Sequence, residues 1–73
     1  MDIERLNHMA RQIARNFAVL GSEDAEKATA KHIFEFWEPR MIIEFKINAP
    51  VEFEGLVSRI EAHQEHSKGE QLP

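Results

Sequence analysis

A chain of 73 residues with 42% hydrophobic and 30% charged side chains has the length of one domain and a globular composition, which excludes wholesale disorder. The absence of cysteine closes the disulfide and thiolate-zinc routes by which folds this small are often stapled, and leaves a partner surface or a self-dimer as the supplement. A net charge of −4 argues against a nucleic-acid or anionic-membrane partner; with no apolar run approaching about 18 residues and no basic-then-apolar leader, the expected location is cytoplasmic.

From Asp2 to Leu20 the apolar residues Ile3, Leu6, Met9, Ala10, Ile13, Phe17 and Leu20 recur every three or four positions, the period of an amphipathic helix. Asp2 suits the N-cap and Gly21 suits the left-handed turn that ends a helix. Ser22 then reads as a second N-cap, followed by Glu23 and Asp24 at the positive end of the helix dipole. The second helix is expected to run to about Trp37, with Ala25, Ala28, Thr29, His32, Ile33 and Phe36 along its inner stripe. Phe34 and Trp37 fall largely outside that stripe, so the helix carries more apolar surface than one neighbour can cover.

Pro39 disfavours helical geometry at Glu38 and fits the first turn of a new helix, which predicts a bend. The next segment reads two ways. Met41, Ile42 and Phe45 make a short helix face, whereas Ile43, Phe45 and Ile47 alternate with Glu44 and Lys46 as in a strand. Helix is preferred, because a lone strand has nothing to pair with. Asn48 and Pro50 mark another break, after which Phe53, Leu56, Val57, Ile60 and His63 share a helical face ending near Gln64. The expected architecture is a small all-α domain of three or four helices with short connections over residues 1–65, followed by a polar, flexible tail over 66–73.

The stretch Lys31-His-Ile-Phe-Glu-Phe-Trp-Glu-Pro-Arg-Met41 resembles the most distinctive segment of the delta-subunit family of cytoplasmic, NAD-dependent, molybdenum-containing formate dehydrogenases. In that family a histidine leads to Phe-Trp-Asp-Pro-Arg-Met; here the order is Phe36-Trp37-Glu38-Pro39-Arg40-Met41, with His32 upstream. Leu6-Asn7-His8-Met9-Ala10-Arg11-Gln12-Ile13 is similar to the family's opening helix, and the two matches together span roughly residues 3 to 45. The departures are Glu38 in place of aspartate and a more β-branched continuation after Met41. The resemblance implies an accessory subunit of an enzyme that oxidises formate to carbon dioxide and reduces NAD. It implies that the molybdenum cofactor, iron–sulfur clusters and flavin mononucleotide sit in the larger subunits. This chain lacks cysteine and a Gly-rich phosphate loop, and no catalytic, cofactor or metal residue is expected in it.

Two readings compete for Phe34, Trp37, Glu38, Pro39, Arg40 and Met41. One is a structural corner, with aromatics in the core and proline setting the bend. The other is a docking edge for a larger subunit, since Trp and Arg supply the apolar area and directed donors that dominate interfaces. His32 reads as a core histidine; an independent enzyme using His32 with Glu35 or Glu38 lacks a nucleophile or cofactor site. His63 and His66 have metal-compatible helical spacing without a third ligand. Arg5, His8, Arg11 and Arg15 form a basic strip that reads as a solvated face or as complement to an acidic partner. The alternative from a different class is a self-associating helical regulator, unrelated to formate oxidation, that buries the same aromatics in a symmetric dimer.

Overall fold

In a computed structural model, residues 2–70 are described and form four α-helices joined by short connections, with no strand among the described residues. The helices are α1 (Ile3–Asn16), α2 (Ser22–Phe36), α3 (Pro39–Asn48) and α4 (Glu54–Glu70), and 3-10 turns cover Ala18–Leu20 and Val51–Phe53. The Asp2 carboxylate accepts from the Glu4 backbone N–H at 3.2 Å, capping α1 as its position suggests. The α-helix ends sooner than the apolar period does: Phe17 closes it and Ala18–Leu20 tighten into a 3-10 turn.

Gly21 follows with φ 93° and ψ 155°, a region open essentially to glycine. It is Gly21, rather than Ser22, that stands at the N-cap of α2, and no side chain caps that end. A Cβ at Gly21 would meet nothing within 4 Å. Gly21→Ala is therefore expected to cost about 1–3 kcal/mol through backbone conformation alone, read as a shift in the urea midpoint with an unchanged slope.

The core is contributed by every helix: Leu6 and Ala10 from α1; Ala30, Ile33 and Trp37 from α2 and its cap; Ile42 and Phe45 from α3; Phe53, Leu56 and Ile60 from the last turn and α4. The residues read as the inner faces of the first and last helices occupy those faces, except Leu20, which lies in the 3-10 turn after α1 and is 51% exposed. Thr29 is fully buried because its hydroxyl donates to the Ala25 carbonyl at 2.6 Å, which satisfies it inside its own helix.

Helix α2 lies between α1 and α4 and packs most extensively on α4. The apolar excess of α2 is thus covered in part by this chain itself. Phe34 stacks on His63 of α4 with ring centroids 5.5 Å apart. Arg59 donates through Nε to Glu26 at 2.6 Å, and Gly55 gives Glu26 its room, since a Cβ there would lie 2.7 Å from its carboxylate oxygen. On the other side of α4, Lys46 donates to Gln64 at 2.7 Å and pairs with Glu61 at 3.7 Å. These polar clips are partly exposed and contribute little energy individually.

Residues 39–48 are helical, as preferred. Helix α4 continues beyond Gln64 to Glu70, into the segment expected as a tail; residues 71–73 lie outside the described residues. No helix among the described residues is long and apolar enough to cross a membrane.

Candidate docking surface

The aromatic–proline segment forms the corner between α2 and α3. Trp37 leaves helical geometry with φ −82° and ψ 144°, Glu38 stays extended at φ −66° and ψ 149°, and Pro39 begins α3. The cause is local: the Pro39 ring excludes the α conformation from Glu38, and its missing N–H is harmless at the first turn of a helix. Because the backbone turns at Trp37, a projection at 100° per residue no longer locates its side chain. Trp37 swings inward, is only 8% exposed, and meets Phe45 edge-on at 5.6 Å. Phe45 in turn meets Phe53 at 5.3 Å.

The expected interface residues therefore divide. Trp37 is in this chain's own core and Phe34 is half-buried against His63. Glu38, Pro39 and Arg40 are exposed on the corner, while Met41 is half-buried and packs against the core from its edge. Phe36, read as an inner-stripe residue, is instead 71% exposed and rests on the His32 ring at 4.8 Å. Phe36 stands at the last helical position, where the turn through Trp37 gives the core its aromatic side chain in place of Phe36.

Sequence reasoning missed two residues on α3. Helical geometry places Arg40, Ile43 and Ile47 on one face, opposite Ile42 and Phe45. Phe45 is fully buried, whereas Ile43 is 55% and Ile47 74% exposed. The strand-like alternation of Ile43, Phe45 and Ile47 is the trace of a helix that is apolar on two sides. A shallow cavity of about 520 Å³ opens on this face, lined by Glu38, Arg40, Met41, Ile43 and Glu44. Glu44 accepts from the Asn48 side-chain amide at 2.7 Å. The Arg40 side chain has no hydrogen-bond, ion-pair or ring partner among the described residues.

The remaining candidates lie elsewhere. His32 is half-buried between Phe17, at 6.4 Å, and Phe36, and Glu35 is exposed. His63 and His66 line a separate cleft of about 320 Å³ with Lys27 and Arg59. No group of three or more His, Cys, Asp or Glu side chains is placed to hold a metal among the described residues. In the basic strip of α1, Arg5, His8 and Arg15 are exposed. Arg11 lies over the Phe53 ring at 5.3 Å and donates to Glu52 at 2.6 Å.

That last contact has a titratable signature. The hydrogen bond from Arg11 holds the Glu52 carboxyl below its ordinary range, with the Coulomb attraction assisting and partial desolvation opposing. A lowered folded-state pKa means stability that is present above the unfolded carboxylate pKa and lost as pH falls through the folded value. Glu52→Gln keeps Arg11 over Phe53 and removes the charge. Its stability deficit relative to the wild type is expected at neutral pH, to shrink with added salt, and to vanish in acid, which urea titrations across that range would read.

These features define a small all-α domain of four helices with an inward-anchored corner and an outward apolar face beside the Arg40 guanidinium. The chain belongs to the NADH-dependent formate dehydrogenase delta subunit (FdsD) family, whose family model matches residues 5–59. The match takes in most of α1, all of α2 and α3, and the start of α4, so it contains both the corner and the outer face of α3. No curated protein and no solved structure matches the chain.

Proposed function

We propose that this chain is a non-catalytic accessory subunit that binds the larger subunits of a cytoplasmic, molybdenum-containing, NAD-dependent formate dehydrogenase and supports their assembly or stability. The observation that carries this reading is the family match over residues 5–59. The corner supports it in physical terms. Trp37 holds the bend from within, so Glu38, Pro39 and Arg40 are presented on rigid backbone with little ordering cost on binding. Met41 supplies adjoining apolar area, and Arg40 supplies directed donors.

The mechanism is mass action: a subunit that binds the assembled enzyme and not its dissociated or unfolded parts shifts both equilibria toward the assembly. Molybdenum cofactor, iron–sulfur clusters, flavin mononucleotide and NAD belong to the larger subunits in this reading.

The test is affinity purification of the tagged chain from its native host under mild salt, with NAD-dependent formate oxidation assayed on the eluate and in a deletion strain. Recovery of active enzyme, with lowered or less heat-stable activity in the deletion strain, is expected. A chain recovered without the enzyme, and undiminished activity after deletion, would overturn the proposal.

A further inference from the structure

We infer that the outer face of α3, formed by Arg40, Ile43 and Ile47, is the surface that seats on a larger formate dehydrogenase subunit, and that it meets an apolar patch carrying a carboxylate. The inference rests on the accessory-subunit reading and extends the docking edge from the corner along the helix.

The two isoleucines do nothing for this chain's own core. Phe45 and Ile42 fill the inner side of α3, and Ile43 and Ile47 lie on the opposite side, more than half exposed. An ordinary solvated helix carries polar residues there. β-Branched residues are also among the weaker helix formers, so the positions are not explained by local propensity. One turn apart on a face, they present a continuous apolar strip next to the cavity lined by Met41, Ile43 and Glu44.

Arg40 specifies the partner's chemistry. Its guanidinium remains unpaired among the described residues although Glu44 stands one turn away on the same helix, and Glu44 is instead bonded to Asn48. Among the described residues, Arg11, Lys27, Lys46 and Arg59 are engaged in ion pairs, and Arg40 is not. A planar donor left unpaired at the edge of an apolar strip is matched by a carboxylate set in an apolar surface, where bidentate geometry fixes register.

The experiment uses formate dehydrogenase purified from a host strain deleted for this chain, titrated with purified wild type, the double variant Ile43→Ser with Ile47→Ser, Arg40→Gln, and a distant control, Lys31→Gln. Thermal melts establish that each variant is folded; the outward positions predict unchanged melting, and Arg40→Gln stands by itself if the double variant fails to fold. Wild type and Lys31→Gln are expected to bind alike, with the double variant and Arg40→Gln each weakened on the order of tenfold or more. Arg40→Gln should also flatten the salt dependence of the association rate.

Equal binding by wild type and the α3 variants would overturn this surface while leaving the accessory-subunit reading in place. Failure of the wild type to bind would overturn both. Sedimentation adds a third outcome: a dimer that dissociates in the double variant, whose enzyme binding is intact, would assign the face to a second copy and overturn the inference.

Discussion

Trp37→Ala is expected to destabilise the isolated domain by about 3–5 kcal/mol, the cost of removing a buried indole and leaving a cavity. A chain of this length has a total stability of about 4–11 kcal/mol, so the variant should lose a large part of its margin and unfold partly at physiological temperature. The mechanism is specific. Trp37 packs edge-on against Phe45 at 5.6 Å and closes the end of the core where α2 gives way to α3. Its loss removes both that contact and the anchor of the Glu38–Pro39 bend. Urea unfolding of the purified chain measures it directly. If Trp37 were chiefly an interface residue, Trp37→Ala would unfold like the wild type and fail only in binding; that result would refute the structural assignment of the side chain.

The second large effect separates neighbours that look alike in the sequence. Phe45→Ala is expected to cost about 3–5 kcal/mol, because Phe45 is fully buried and bridges Trp37 and Phe53. Ile47→Ala, two residues on, is expected to change stability by no more than about 0.5 kcal/mol, since Ile47 is 74% exposed. A half-buried strand would place Ile43, Phe45 and Ile47 on the same side and make all three substitutions costly. Comparable losses at Phe45 and Ile47 in parallel denaturation curves would therefore contradict the helical phase of α3. The pair also bears on function: the residue that matters for folding and the residue proposed for docking are opposite sides of one turn of helix.

Much of this was legible in the residues themselves. The three- and four-residue spacing from Ile3 to Ile13 and from Leu56 to His63 marked both outer helices, Gly21 marked the turn between α1 and α2, and Pro39 marked the bend before α3. Local chemistry sufficed there because each signal acts over a few residues: helical period, a positive φ, a proline that excludes one conformation of its predecessor. The motif around Phe36–Met41 likewise pointed to the delta-subunit family, and the family match over residues 5–59 makes that membership a finding.

The inward and outward faces near the corner were not legible. The helical period places Phe36 on the inner stripe and Trp37 largely outside it, and only the structural-corner reading puts the aromatics in the core; in the structure Phe36 is exposed and Trp37 buried. Periodicity carries a side chain's direction along a helix only while the helix lasts, and α2 stops at Phe36. Beyond that point the direction of Trp37 depends on where Phe45 lies, and the direction of Phe45 depends on α3 packing against α1 and on the position of Phe53. Likewise the sequence alone read α3 two ways, as a helix face of Met41, Ile42 and Phe45 or as a strand-like alternation of Ile43, Phe45 and Ile47. Only the tertiary packing decided which of them, Ile42 and Phe45, the core would take, and left Ile43 and Ile47 outside, because a domain this small encloses one side of a helix and leaves the other to water or to a partner.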